Sequence, residues 1–324
     1  MSVRSIHPSA SLFALVLLVV GLALPSCTET PPPGETYVYV IDEVRILARA
    51  EVIDGVSVVD GFDIDGFDGA APGGNCRSQE QDDYVAPDGR RGIDNQLAGG
   101  GLASVVRLLA MQEEDSSALF EGLVQGAVTA GTLLVLMKFD DVSSFENDDD
   151  VTLTLLAGQP FNVGVGTDGR LLAGQSFDIR PDTEPVVIHT AIRDGVLLAD
   201  GVNLQLIGSI LDVSFEIPIS LGHLRVEFNP NGTVTGVLGG ALPWNTLADV
   251  IPRIGGAGQF ATLGRAILRG IADVMNFETG ECDRLSASMR CTVYRRSSTR
   301  TRRRSSRTLA PPETSAPGAS GWVW

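Results

Sequence analysis

"VVIHTAIRDGVLLADGVNLQLIGSILDVSFEIPI", residues 186–219, is the stretch that decides the fold class. Apolar and polar residues alternate along "VVIHTAI" (186–192), "VNLQLIG" (202–208) and "DVSFEIPI" (212–219). That period of two belongs to half-buried strands. Asp194-Gly195 and Asp200-Gly201 stand between the runs. Such dipeptides mark hairpins, because both residues accept positive φ.

The same signature extends in both directions. "YVYVI" begins at Tyr37, followed later by "GTLLVLMKF" (131–139) and "VTLTLLAG" (151–158). Downstream come "HLRVEF" (223–228) and "TVTGVL" (233–238), with further turn signals at Asp168-Gly169 and Asn231-Gly232. Many short strands punctuated in this way predict a mainly β fold of the α+β kind: an antiparallel β-sandwich or open barrel with flanking helices. Helical periodicity is confined to two regions, near 102–127 and 245–277. In the first, Leu102, Val105, Val106 and Leu109 form one apolar stripe, and Asp115 and Ser116 are placed to cap a second helix. In the second, Pro252 is expected to kink or split the helix.

The two ends of the chain differ from this middle. Ser11 to Leu24 is an apolar run of secretory length, too short for a membrane span, and it ends in "LPSC". This reads as a lipoprotein signal peptide over residues 1–26, with Cys27 cut to the N-terminus and acylated. Thr28, not an aspartate, follows the cysteine, which favours the outer membrane. The Pro-rich stretch 27–36 is expected to be an extended tether. Residues 37–294 form the expected single β-rich domain, and 295–324 an Arg-rich tail. The tail carries seven arginines and reads as a disordered segment or as the product of a shifted reading frame.

Charge narrows the partners. Residues 27–294 hold 39 of the 40 acidic and 16 of the 24 basic side chains, a net of −23. Such a body repels nucleic acid and anionic lipid and attracts divalent cations. The membrane is therefore expected as a partner through the anchor alone, nucleic acid is not expected, and a protein or glycan ligand stays open.

Catalytic signatures are thin. The domain has two histidines, His189 and His223, both on alternating strands, and one tryptophan, Trp244. It lacks G-x-S-x-G, H-E-x-x-H and P-loop sequences. "GVGTDG" (164–169) matches a dinucleotide fingerprint, but "RLLAGQSFDI" follows where a helix is required, so it reads as a Gly-rich hairpin turn. Acidic clusters are the recurrent feature. "DGFDIDGFDG" (60–69) supplies Asp60, Asp63, Asp65 and Asp68, and Asp94 follows in "PDGRRGIDNQL" (87–97). Two readings stand. The stretch is a turn in which Asp caps its own backbone, or it is a calcium site. In the second case Asp63, Asp65 and Asp68 are ligands, and Asp60 or Asp94 completes the shell.

Export to oxidising surroundings predicts a disulfide. Cys76, just after the aspartate loop, is paired with Cys282, which leaves Cys291 free.

Taken together, "GFDIDG" (61–66), "PDGRRGIDNQL" (87–97), "FDDVSSFENDDDV" (139–151), "GVLGGALP" (236–243) and "CDRLS" (282–286) resemble a family of uncharacterised lipoproteins of myxobacteria and related deltaproteobacteria. The resemblance implies a bacterial cell-envelope location and supplies no catalytic residue. The expected protein is a lipid-anchored envelope protein, on the periplasmic face or the cell surface, with a structural or binding role and calcium as a stabilising ion. The alternative is a secreted hydrolase that uses paired carboxylates.

Overall fold

A computed structural model describes residues 34–47, 49–66, 76, 84–98, 116–210, 212–230, 232–255, 261–276, 278–279 and 281–295. Cys27 and Asp68 lie outside these residues, as do the stretch 99–115 and the Arg-rich tail.

Among the described residues, eleven strands and three helices follow in chain order: β1 (Glu35–Ile46), β2 (Glu51–Ile53), β3 (Val56–Val58), α1 (Ser116–Thr129), β4 (Val135–Val142), β5 (Asp148–Ala157), β6 (Val186–Arg193), β7 (Val196–Ile210), β8 (Val213–Phe228), β9 (Thr233–Pro243), α2 (Trp244–Gly255), α3 (Ala261–Gly270), β10 (Val274–Asn276) and β11 (Glu281–Arg295). The main sheet is antiparallel in the order β1-β4-β5-β6-β7-β8-β9-β11-β10, and β1 also pairs with β11. That last pairing, Val44 opposite Cys291 and Ile41 opposite Val293, closes eight of the strands into a ring. The mainly β fold with flanking helices expected from the sequence is the one observed, in the form of a barrel. Its loosest seam is β6–β7, which is laddered at the hairpin only, through Ile192–Leu197 and Arg193–Val196. The described residues from Gly34 to Arg295 belong to one compact unit.

Alternation sets the inside and outside. On β7, Leu197, Ala199, Val202 and Leu204 are buried, and Asp200, Asn203 and Gln205 face out. On β5, Val151 and Leu153 are fully buried. An apolar lumen with a polar exterior is the reverse of a membrane barrel's patterning. No described helix is long and apolar enough to cross a membrane.

The strands are longer than their sequence runs suggest. Asp200-Gly201 is not a hairpin: it lies within β7, where Gly201 has φ +69°. "DVSFEIPI" and "HLRVEF" belong to one strand, β8, and Leu221 there has φ +50°. The β7–β8 register slips at Asp200/Val202 and Val202/Leu204, and the β8–β9 register at Ser220/His223. These bulges bend both strands at one level, which is the curvature that closing a barrel requires. Asp194-Gly195 is a two-residue hairpin as expected, with φ of 50° and 78°. The helical region expected near 245–277 is two helices followed by a strand. Helix α2 runs through Pro252 to Gly255, and β10 at 274–276 is drawn into the sheet by β11.

The two barrel ends differ. The end with the β4–β5, β6–β7 and β8–β9 hairpins is filled by aromatic rings. Tyr37 meets Phe145 at 4.6 Å, Phe145 meets Phe228 at 4.7 Å, and Phe228 meets Phe139 at 5.4 Å between centroids. The opposite end is covered by α1 and α2. There β1 runs past the start of β4 and has a free edge, which α1 caps. Val44 N–H donates to Gln125 Oε1, Gln125 Nε2 donates to the Asp42 carbonyl, and Ile46 N–H donates to Glu121 Oε2. Side chains thus stand in for a neighbouring strand.

A second layer, formed by the described residues between 47 and 98, lies over the outer face of β11 and β9. Ser286 and Ser288 point outward from β11 yet are fully buried. A Cβ on Gly239 would come within 2.6 Å of the Phe62 ring, so glycine is what lets this layer sit down. The disulfide Cys76–Cys282, with Cα atoms 5.3 Å apart, ties the layer to β11, and Cys291 is free and buried in the barrel.

Candidate functional site

Four of the five motifs quoted above meet where this second layer lies on β9 and β11. Asp94 N–H donates to the Phe62 carbonyl at 2.9 Å, Gln96 N–H to the Ser286 hydroxyl at 3.1 Å, and Phe62 lies on Gly239. The fifth, "FDDVSSFENDDDV", forms the β4–β5 hairpin. There Asp148 accepts hydrogen bonds from the Ser143 and Ser144 N–H groups and the Ser143 hydroxyl.

The acidic stretch folds around Asp94. Its Oδ2 accepts the N–H groups of Ile64 at 2.6 Å and Asp65 at 3.1 Å, and Asp63 Oδ1 accepts Gly66 N–H at 2.7 Å. Gly66 sits at φ +80°, a conformation open to glycine. Asp63, Asp65 and Asp94 each thereby offer a carboxylate oxygen within 4.8 Å of the other two. Three hard oxygen donors and three negative charges fit a divalent cation of the calcium type, whose remaining ligands would be carbonyls or water.

Asp60 has a different role. Its Oδ2 takes Arg225 Nη2 at 2.6 Å and Arg290 Nη2 at 3.1 Å, and its side chain is 7% exposed. Of the two candidates expected to complete a cation shell, the structure brings Asp94 to the site and commits Asp60 to an ion-pair cluster. Asp68 lies outside the described residues.

Three further groups complete the electrostatics, and two of them, Asp273 and Asp42, were not singled out from the sequence. Asp273 accepts both the N–H and the hydroxyl of Ser286, and burial, reinforced by the charge of Asp65, pushes it up to about 7. Asp42, in the β1 bulge, is pushed up to about 6 by burial, against the opposing pull of Arg170, which also pairs with Glu43. Burial raises the Cys291 thiol to about 12, so it stays protonated and unreactive. The signal was an acid inside an apolar run: Asp273 alone in "GIADVMNF", and Asp42 with Glu43 beside it in "YVYVIDEV".

Each described histidine has a local partner. His189 Nδ1 bonds the Thr152 hydroxyl, and His223 Nδ1 bonds Asp200 at 2.8 Å while stacking on Phe62. The "GVGTDG" segment is a hairpin turn, with Gly166 N–H donating to the Arg170 carbonyl and Val165 bridged to Leu171.

Inside the barrel, under α1 and α2, lies a cavity of about 130 Å³. Ile41, Leu133, Leu206, Ile217, Leu238 and Cys291 are among its walls, and every side chain lining it is apolar or a protonated thiol.

Comparison with protein-family models, curated proteins and solved structures gave no match to this chain.

Proposed function

We propose that this chain is a lipid-anchored protein of the bacterial cell envelope with a binding role, in which the barrel is the container and the acidic second layer is stabilised by calcium. The observation that carries the reading is the barrel's lining: a cavity walled by apolar groups, with the clustered acids outside it. An eight-stranded barrel has room to be filled by side chains or to keep space for one small ligand. A dry cavity of about 150 Å³ elsewhere is known to take up benzene, so the observed space is of ligand-bearing size.

The hydrolase alternative has one observation in its favour, the raised Asp273 beside Asp65. Both Asp273 oxygens accept from Ser286, which leaves it poorly placed as a general acid.

Three measurements test the reading. Replacement Cys27→Ala should move the protein out of the membrane fraction; unchanged partitioning refutes the anchor. Native mass spectrometry of protein taken from its own membranes should find an apolar molecule retained beyond the chain and its acyl groups; a bare chain in every preparation refutes the container. Millimolar calcium should raise Tm relative to EDTA at matched ionic strength, and Asp63→Asn with Asp65→Asn should abolish the rise; no rise in the wild type refutes the cation.

A further inference from the structure

The barrel cavity has a polar neighbour. A pocket of about 500 Å³ opens beside it, walled by β7, β8, α2 and the segment around Pro160 and Arg180. The two spaces share Phe215 and Val250. Helix α2 is the partition, because its spacing gives it two faces. Thr246, Asp249 and Arg253 recur at helical intervals and line the polar pocket, while Leu247 lines the apolar one and Val250 touches both. Strand β8 repeats the division, with Ser214 and Glu216 on the polar side and Ile217 on the apolar side.

The charges of the polar pocket balance. Arg180 is paired with Asp182, and Asp249 with Arg265. Glu216 accepts from Gln205 Nε2 at 3.2 Å, and Arg253 donates its Nε to the Asp249 carbonyl. Arg180 also lies in the field of Glu216, so the lining holds one set of two carboxylates, Glu216 and Asp249, and one of two guanidiniums, Arg180 and Arg253, with no excess of either sign. A group carrying net charge of either sign gains from one and loses to the other.

We propose that these two spaces form one site for a single-chain amphiphile with a net-neutral headgroup. The tail passes between Phe215 and Val250 into the barrel, and the headgroup lies between Glu216 and Arg253. The inference rests on the binding role proposed above and adds the class of ligand. A cavity of this size takes a tail of about six carbons, by comparison with the benzene-sized space of similar volume.

The test is titration calorimetry on the mature chain from Cys27 or Thr28 onward, with ligands kept below their micelle concentrations. Octylphosphocholine and octyl glucoside should bind, and octanoate and octylammonium should bind about tenfold more weakly. Affinity across alkylphosphocholines should rise about threefold to fourfold per CH2 up to about six carbons and then level. Arg253→Ala with Glu216→Ala, both at the water-facing mouth, should weaken octylphosphocholine about tenfold and leave toluene uptake unchanged. Ala287→Leu, which fills the cavity, should weaken every tail-bearing ligand and toluene alike, with an unchanged circular dichroism spectrum as the check on folding. If toluene binds and no amphiphile does, the amphiphile inference is wrong and the binding role stands. If neither binds, both fall. Preference for octanoate or octylammonium overturns the assignment of the headgroup.

Discussion

Replacement of Asp60 by asparagine separates the two roles this residue could have. Asp60 is 7% exposed, and its Oδ2 is shared by Arg225 and Arg290, whose side chains are 17% and 48% exposed. Removing one partner of a buried ion pair costs about 3–5 kcal/mol, because the other charge is left buried without compensation. Three features place Asp60 at the lower end. Arg225 keeps Glu227 at 3.1 Å, Arg290 reaches water, and Asp60 Oδ1 is already buried without a hydrogen-bond partner. The expected loss is therefore about 3 kcal/mol, or a fall in Tm of about 6–12 °C at 2–4 °C per kcal/mol for a domain of this size. Arg290→Ala should cost under about 1 kcal/mol, as expected for a half-exposed pair. The assay is urea unfolding of the three proteins, each in calcium and in EDTA. Because Asp60 belongs to the arginine cluster, Asp60→Asn should keep whatever calcium response the wild type has. A loss under about 1 kcal/mol refutes the ion-pair account, and a lost calcium response returns Asp60 to the cation shell.

Asp273 is held near 7, above its unfolded value of 3.8, so the folded state binds a proton that the unfolded chain releases. The associated stability is complete below about pH 4 and is lost as pH rises to about 7, an upper figure of about 4 kcal/mol. Asp273→Asn should flatten Tm against pH over that window and match or exceed the wild type at pH 8; a slope that survives the change refutes it. Reduction of Cys76–Cys282, which are 206 residues apart, should destabilise by about 5 kcal/mol on the chain-entropy estimate, read as a drop in Tm with reductant. A Cβ on Gly222 would run into the Val202 carbonyl across the β7 bulge, so Gly222→Ala should lower the urea midpoint strongly, while Gly232→Ala, where a Cβ would meet open space, pays only the strain of its φ.

Strands were legible where burial is one-sided. "VVIHTAI" and "TVTGVL" each start a strand at the residue expected, because alternation needs only local sequence. Bulges were not legible as such. Asp200-Gly201 carries the same signal as a hairpin, since both need positive φ, and only the partner strand decides which forms. Barrel closure was equally out of reach, because it depends on β1 meeting β11, a pairing no local pattern encodes. At the acidic site the residue types were readable, and so was the choice between Asp60 and Asp94 as an open question. Its resolution lay in Arg225 and Arg290, which come from the far side of the sequence. The cavity left no trace, since a residue beside empty space has the same alternation as one that is packed.

The ring closes between the first strand made and the last. Val44 finds Cys291 roughly 250 residues downstream, a separation that makes closure slow relative to the hairpins that assemble locally. Under the export proposed above, a chain threaded across a membrane from its N-terminus delivers β1 first and leaves it waiting through the passage of the whole domain. For that interval its outer edge is an open template for pairing with another chain. Glu121 and Gln125 arrive much sooner than β11 and bond one edge of β1, so half of that exposure ends early. The vulnerable half is the one β11 takes. Truncation anywhere within Glu281–Arg295 should therefore harm yield in export more than it harms the melting temperature of whatever protein does fold.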